Sequence, residues 1–118
     1  MIYAVVGGRD FNDYERLSKI LNKLKITKIV SGGAKGADTL AAKYAKDHNI
    51  KLEVHYPDWD KYGKSAGYIR NEILVERSEA IIAFWNLSSP GTKHTIQIAK
   101  RAGKDVTVIN YSNAEPLF

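Results

Sequence analysis

The chain has 118 residues, 44% of them apolar and 26% charged, which is ordinary for one globular domain, so we expect a single domain spanning residues 1–118. The sequence contains no cysteine, which excludes disulfide bonds and thiolate-bound metal. Its first residues show neither the basic nor the long apolar region of a secretory signal, and no apolar run approaches the ~20 residues of a membrane span, so we expect a cytoplasmic protein without membrane contact. The net charge of +5 favours anionic partners in general.

Short apolar runs alternate along the chain with amphipathic stretches. The runs, rich in Val and Ile, predict strands at residues 2–6, 28–31, 51–55, 80–85 and 105–109. The stretches between them carry apolar side chains three and four residues apart and predict helices over residues 14–24, 37–48, 69–77 and 92–102. Asn12 or Asp13 suits the start of the first helix, and Gly103 suits the end of the last.

Strands that alternate with helices through short links are typical of a parallel sheet covered by helices on both faces. We therefore predict a doubly wound, three-layer α/β fold with a five-stranded, mainly parallel sheet in the order 3-2-1-4-5. Residues 110–118 show neither a helical nor a strand period, so this tail is expected to cross the surface or to reach a neighbouring subunit.

The unusual residues fall in the predicted strand-to-helix turns, which all lie at one edge of such a sheet. The four turns read "GGRDF" from residue 7, "SGGAKGAD" from 31, "YPDWDKYGKSAGYIRNE" from 56 and "NLSSPGTKHT" from 86. Ligands of doubly wound sheets bind at this edge, where the strand order reverses. The clustering of glycines and cations there is the main sequence evidence for a binding site.

The segment "SGGAKGAD" combines three glycines with the start of a helix. Glycines let main-chain N–H groups approach a bound group, and a helix start adds free N–H groups and a positive dipole end. Gly91 and Thr92, with Ser88 and Ser89 as hydroxyl donors, provide a second helix start of this kind. Two such starts would hold a phosphate or diphosphate; the alternative is that the glycines only turn the chain.

Cations and aromatic rings accompany these turns. Arg9 and Arg70 could grip a phosphate, although Arg9 could instead pair with Asp10, and Arg70, expected to open the third helix, could form a structural salt bridge. The aromatic candidates for stacking on a nucleobase are Trp59, Tyr62 and Tyr68. These rings could equally cap the core or form a dimer contact. The three histidines show no ligand spacing, and we predict no metal site.

The motifs "GGRDF", "SGGAKGAD" leading into "LAAKYA", "GYIRNE" and "SPGT" occur in an order that resembles the SLOG superfamily, and most closely its small YspA-like branch. The resemblance covers residues 1 to about 109 and implies a Rossmann-like fold that binds a nucleotide, a nucleotide-derived molecule or nucleic acid. The ligand-binding residues predicted from these motifs are Gly8, Arg9, Asp10, Phe11, Ser31, Gly32, Gly33, Ala34, Lys35, Gly36, Asp38, Arg70, Asn71, Ser89, Gly91 and Thr92.

Two related families imply different activities. The LOG-type phosphoribohydrolases use an arginine and a glutamate within PGGxGTxxE, but the similar stretch here, "SSPGTKHT", has Thr95 at the glutamate position. Asp38 and Glu72 are the candidate catalytic replacements, with Asp10 as a further possibility, because cleavage through an oxocarbenium-like transition state needs a carboxylate. The DNA-processing protein A family, which binds single-stranded DNA, resembles the chain in its GxRxF, SGxAxGID and RN motifs.

From the residues and the resemblance together we expect a binding protein rather than an enzyme. The expected ligand is a phosphorylated nucleotide derivative of the ADP-ribose or cyclic ADP-ribose class, which the protein senses or sequesters without any cofactor. We also expect a homo-oligomer, since LOG-type relatives are dimers or larger. The alternatives are a nucleotide hydrolase acting on the same ligand class and a protein that binds single-stranded nucleic acid.

Overall fold

Strands and helices alternate throughout residues 1–112, the part of the chain that the computed structural model describes. The strands are β1 (Ile2–Gly7), β2 (Lys28–Ser31), β3 (Lys51–Val54), β4 (Ala80–Trp85) and β5 (Asp105–Asn110). The helices are α1 (Tyr14–Leu21), α2 (Ala37–Asp47), α3 (Trp59–Tyr62), α4 (Ala66–Arg77) and α5 (Pro90–Arg101). A 3₁₀ turn, Gly63–Ser65, joins α3 to α4.

The five strands form one sheet in the order β3-β2-β1-β4-β5, and all four pairings are parallel. The predicted fold class and strand order are therefore confirmed. The chain builds outward from β1 through β2 to β3, then returns to the other side of β1 with β4. The order thus reverses between β1 and β4, and a crevice is expected where their carboxyl ends separate.

Two apolar cores lie on opposite faces of the sheet because successive side chains of a strand point in opposite directions. In β1, Val5 packs with Leu17 and Leu21 of α1 on one face. Ala4 and Val6 pack with residues of α4 and α5 on the other face. The central strands are buried, and helices cover both faces as a parallel sheet requires.

The structure differs from the predicted elements mainly before the fourth strand. The third predicted helix begins at Ala66 and not near Arg70, so Arg70 lies in its second turn. The extra helix α3 begins after Asp58, whose side chain accepts a hydrogen bond from the Lys61 N–H. The first helix ends at Leu21, earlier than its leucine spacing predicted.

Residues 110 and 111, near the end of the described part of the chain, pack against the rest of the domain. Asn110, which was assigned to the irregular tail, is the last residue of β5 and pairs with Trp85. Tyr111 packs its ring against Phe11, with 4.8 Å between centroids. The rest of the expected tail, residues 113–118, lies outside the described residues. No helix within residues 1–112 has the length and apolar character needed to cross a membrane.

Candidate functional site

A cleft opens at the carboxyl edge of the sheet, where the strand order reverses. It has two adjoining chambers, of about 490 Å³ and about 580 Å³. The first, here called the polar chamber, is lined by Asp38, Asn86, Ser89, Thr92 and Thr95 among others. The second, here called the aromatic chamber, is lined by Tyr56, Pro57, Trp59, Lys64 and Tyr68 among others. The residues that line both chambers are Arg9, Ala34, Arg70, Asn71 and Gly91.

The turn after β1 places Arg9 at the boundary of the two chambers. The Gly8 N–H donates to the Phe84 carbonyl oxygen at 3.0 Å, which fixes the turn against β4. The Tyr111 hydroxyl donates to the Asp10 carboxylate, and a Cβ at Gly8 would collide with that hydroxyl. Within residues 1–112 the exposed Arg9 guanidinium has no hydrogen bond or ion pair. It is therefore free to meet an anion in the cleft.

The glycines of "SGGAKGAD" let other parts of the protein come close, rather than leaving bare backbone around an open space. Gly36 has a φ of +79°, and a Cβ there would lie 2.6 Å from the Arg9 carbonyl oxygen. Gly33, at a φ of +71°, lies under the Tyr56 ring, and Gly32 lies against the Arg70 guanidinium. The loop therefore joins three neighbouring segments into one wall of the cleft.

Asp38, in the first turn of α2, occupies the position where that helix start would hold an anion. Its side chain is 6% exposed and accepts a hydrogen bond from the Ala34 N–H at 3.0 Å. Burial raises the pKa of Asp38 to about 6, against the opposing effects of the Ala34 N–H, Arg70, the Gly32 N–H and Arg9. The loop expected to cradle a phosphate thus already holds a carboxylate of its own.

Arg70 lies across the mouth of this loop. Its Nη1 donates to the Gly32 carbonyl oxygen and its Nε donates to Asn71 Oδ1 at 3.0 Å. Burial lowers the pKa of Arg70 from its usual value, with Arg9 contributing in the same direction and Asp38 opposing it. An arginine side chain is not deprotonated in proteins, so the boundary of the two chambers carries two positive charges, from Arg9 and Arg70.

The first turn of α5 forms the opposite wall. Ser89 caps the helix: its Oγ accepts from the Thr92 N–H at 3.5 Å and lies 3.2 Å from Thr92 Oγ1. A Cβ added at Gly91 would meet open space, so this part of the wall leaves room for a ligand. The positive end of α5 points at the polar chamber, which favours an anionic group there. Of the two predicted helix starts, this one remains open to a ligand.

Thr95 is buried beside the polar chamber, and its hydroxyl donates to the Gly91 carbonyl oxygen at 3.2 Å. The position at which LOG-type enzymes carry a glutamate therefore faces the cleft but supplies no charge. Asp38 and Asp10 are the acidic residues that line this chamber within the described part of the chain. Glu72, the other predicted catalytic candidate, is exposed on α4 outside both chambers.

Three aromatic residues form the second chamber, and the prediction named two of them. Trp59 and Tyr68 line it, with 55% and 51% of their surfaces exposed. Tyr62 lies outside it, with the Lys61 ammonium 5.1 Å from its ring centroid. Tyr56, which lies in the same predicted turn, also lines the chamber and is 72% exposed.

Most of the predicted ligand-binding residues meet in the cleft, and four do not. Phe11 is 2% exposed and stacks on Phe84 with 4.6 Å between centroids, so its side chain belongs to the core. Ser31 is buried beneath the loop, and Lys35 and Gly36 lie outside both chambers. The predicted residues that line a chamber are Gly8, Arg9, Asp10, Gly32, Gly33, Ala34, Asp38, Arg70, Asn71, Ser89, Gly91 and Thr92. Asn86 and Thr95 line it as well, although neither was predicted to bind ligand.

The histidines take part in packing and hydrogen bonds at separate places. His48 stacks on Tyr44, His55 bonds to Glu53, and His94 contacts Tyr68. Among residues 1–112 no group of three or more His, Asp or Glu side chains is arranged to hold a metal ion.

The parallel sheet and the cleft at its carboxyl edge define a Rossmann-like domain. Within that class, the chain belongs to the YspA, cpYpsA-related SLOG family, whose sequence model YAcAr matches residues 1–62. Membership of this family suggests a nucleotide- or nucleic-acid-related function. The predicted resemblance is confirmed.

Two individual proteins are similar to the chain. The gene 61 protein of Mycobacterium phage D29 is 36% identical over 91 residues, covering 72% of this chain and 71% of that protein. The X-ray structure of DNA processing protein A from Streptococcus pneumoniae superposes with a TM-score of 0.79 at 23% identity. That match covers 96% of this chain and 51% of the solved one, so the chain spans about half of its length. At this identity the likeness concerns the fold.

Proposed function

We propose that the cleft binds a phosphorylated nucleotide-derived small molecule, of the ADP-ribose or cyclic ADP-ribose class, and retains it without cleaving it. The observation that carries the proposal is the position of Arg9 and Arg70 at the boundary between the polar and aromatic chambers. Guanidinium groups recognise phosphate oxygens through paired hydrogen bonds. A diphosphate at the boundary would leave a base on one side and a sugar on the other.

Each chamber offers the chemistry that its part of such a ligand needs. A flat base can stack on Trp59 or Tyr68, since any aromatic side chain covers a base face. A ribose can use the hydroxyl and carboxyl groups that line the polar chamber and reach solvent, such as those of Ser89 and Asp10. Both chamber volumes fall within the ~300–1,000 Å³ common for small-molecule sites.

Retention is proposed because the chamber lacks a free carboxylate at the position of the LOG-type glutamate. Thr95 stands there, and its hydroxyl is bonded to the Gly91 carbonyl oxygen. N-glycosidic cleavage develops positive charge on the sugar and needs a nearby anion to stabilise it. Asp38 accepts the Ala34 N–H, which directs its carboxylate into the loop. A protein that holds such a ligand intact can sense or sequester it.

A nucleotide hydrolase is the second candidate function, and one observation favours it. Asp38 lines the polar chamber and has a pKa raised to about 6, within the range useful for proton transfer near neutral pH. The reaction would be N-glycosidic or phosphoester cleavage of the same ligand class. The third candidate, binding of single-stranded nucleic acid, draws on the same aromatic and cationic residues.

One experiment separates the three candidates. The full chain is titrated calorimetrically with ADP-ribose, cyclic ADP-ribose and a short oligonucleotide, and the mixtures are then denatured and separated by chromatography. Saturable binding with the nucleotide recovered intact is the expected result. Free base or ribose phosphate would establish the hydrolase instead. Binding of the oligonucleotide alone, with steep salt dependence, would establish the nucleic-acid function. No heat with either nucleotide contradicts the proposal.

Homo-oligomerisation is a separate part of the proposal. The segment 56–65 exposes Trp59 and Tyr62 beside the cleft, and such rings are common where two subunits meet. Light scattering coupled to size-exclusion chromatography tests it directly. A mass near twice 13.2 kDa or larger is expected, whereas a monomer mass at all concentrations would exclude it.

A further inference from the structure

A chain of four side chains runs through the wall between the two chambers. Arg70 Nε donates to Asn71 Oδ1 at 3.0 Å, and Asn71 Nδ2 lies 3.2 Å from His94 Nδ1. The same Nδ2 donates to the Gly91 carbonyl oxygen at 3.4 Å. The His94 ring in turn contacts the Tyr68 ring, with 4.4 Å between centroids. These four side chains therefore link the aromatic chamber, the first turn of α5 and Arg70 at the boundary of the two chambers.

The neighbours of Asn71 fix which way its amide points. Arg70 Nε–H can only donate, so the Asn71 oxygen must face it. The Gly91 carbonyl oxygen can only accept, so the Asn71 amino group must face that side. That amino group then also faces His94 Nδ1, which has to accept. His94 is consequently neutral, with its proton on Nε2.

Asn71 itself is not placed to read a ligand through its polar atoms. Its surface is 5% exposed, and both its oxygen and its amino group already have partners within the protein. The residue connects α4 to α5 at the level of the cleft floor. Its contribution to binding must therefore act through the groups that it holds.

We propose that Asn71 and His94 are positioning residues, which hold Arg70 and the first turn of α5 in the arrangement that receives the ligand's phosphate. The arrangement requires the Nε2–H form of His94. A proton on Nδ1 would oppose the Asn71 amino group, break the contact and loosen Arg70 and Tyr68 together. The effect on ligand binding rests on the proposed function, whereas the hydrogen bonds that link Arg70, Asn71 and His94 can be observed without any ligand.

The charges around His94 support the neutral form. Burial and Arg101 lower the pKa of His94 below its usual value, and Glu72 opposes them. Tyr68 and Asn71 face the ring from α4 without carrying a charge. Acidification that protonates His94 is therefore expected to weaken phosphate binding.

The first test observes the tautomer of His94 and the Nε–H signal of Arg70 in the absence of ligand. Long-range ¹⁵N–¹H NMR of the full chain near about pH 7.5 should show His94 as the Nε2–H tautomer. The Arg70 Nε–H signal should shift more on acidification in wild type than in His94→Gln, whose side-chain oxygen can still accept from Asn71 and in which Asp38 still titrates beside Arg70. A His94 Nδ1–H tautomer, or equal Arg70 shifts in the two proteins, overturns the proposal.

The second test measures ADP-ribose binding between about pH 7.5 and 5.5 in wild type and in His94→Gln. Since Asp38 titrates in the same range in both proteins, their comparison isolates His94. Wild type should lose more affinity on acidification than His94→Gln, by a factor below about ten, because the pKa of His94 lies below its usual 6.5. Asn71→Leu should bind about tenfold more weakly than wild type at neutral pH. Identical pH profiles overturn the positioning role. Absence of ADP-ribose binding in wild type overturns the proposed function and leaves the NMR result to decide the rest.

Discussion

Arg70 and Gly32 are in direct contact across the carboxyl edge of the sheet, 38 residues apart in sequence. The arginine donates from Nη1 to the glycine carbonyl oxygen, and a Cβ on Gly32 would lie 2.5 Å from that nitrogen. The absence of a side chain on Gly32 is therefore what allows the guanidinium to lie along the loop. One purpose of the glycine-rich loop is to seat an arginine at the boundary of the two chambers.

Gly32→Ala should displace the Arg70 guanidinium and weaken ADP-ribose binding about tenfold, or ~1.4 kcal/mol. The new methyl group would lie only 2.5 Å from Nη1, so the guanidinium would have to move away from its place facing the phosphate. A double-mutant cycle with Arg70→Ala supplies the control, because residues that act through one contact give non-additive effects. Full additivity of the two substitutions would show that the glycine does not act through Arg70.

Gly36→Ala should lower the free energy of unfolding by about 2 kcal/mol or more. The residue has a φ of +79°, and a Cβ would press on the backbone of Gly8 and Arg9. Gly91→Ala is the matched control, since a Cβ there meets open space and its φ lies outside the left-handed region. Denaturant unfolding compares the two. Equal stabilities would mean that the loop can relax away from the contact.

Arg9→Ala should weaken nucleotide binding about tenfold or more while leaving the unfolding midpoint unchanged. Its guanidinium makes no hydrogen bond or ion pair to residues 1–112, so its removal leaves no partner unsatisfied there. Lys35→Ala removes an equal charge from the neighbouring loop but outside both chambers. Calorimetric titration of both variants checks the prediction, and equal losses would indicate a general effect of charge.

Nucleotide binding should quench the fluorescence of Trp59, because the ring lines the aromatic chamber and is largely exposed. The other tryptophan, Trp85, is fixed by a hydrogen bond from its Nε1 to the Ser89 carbonyl oxygen at 3.1 Å. Trp85→Phe should therefore keep the ligand-dependent signal and Trp59→Phe should lose most of it. The reverse pattern would exclude stacking on Trp59.

Asp38→Asn should change how stability depends on pH. Because the folded pKa of Asp38 is raised from 3.8 to about 6, the folded chain binds this proton more tightly than the unfolded chain. Ionisation therefore costs stability as pH rises from about 4 to above 6. The free energy of unfolding of Asp38→Asn, relative to that of wild type, should rise across that range by at most roughly 3 kcal/mol.

Unfolding of the two proteins at several pH values measures this difference. The Asn side chain keeps an acceptor for the Ala34 N–H, so the loop is expected to stay closed. A difference that stays constant with pH would mean that Asp38 titrates at its ordinary pKa and is better solvated than its burial implies.

The fold could be predicted because its strands are short, apolar and separated by clear helical periods. The strand boundaries of β2 and β4 match the prediction, since their Ile-rich and Val-rich runs are buried and bounded by polar residues. The start of α4 could not be located, because Ala66 and Gly67 carry no capping signal and Ser65 makes no side-chain cap. The Asp58 cap of α3 was present in the sequence but the four-residue helix it starts is too short to show a period.

The candidate site was predicted at the level of its turns and not at the level of its contacts. The parallel topology brings Arg9 and Arg70 to one edge, so their meeting followed from the strand order. The contact of Tyr111 with Asp10 joins residues 101 positions apart, and no local pattern encodes it. The glycines of the loop at residues 31–38 were expected to make room for a ligand, but Arg70, Tyr56 and the backbone of Arg9 approach them instead. These groups come from distant segments of the sequence, so no local pattern predicted the contacts.

The measurement that tests the central claim most directly is a ¹H–¹⁵N correlation spectrum of the chain titrated with ADP-ribose. The account predicts that shifted amides cluster in the strand-to-helix turns and the helix starts that follow them, at residues 7–10, 32–38, 56–71 and 89–95. It also predicts that the turns at the opposite edge of the sheet, such as residues 22–27 and 102–104, stay in place. Shifts confined to that opposite edge, or none at a saturating concentration, would contradict it.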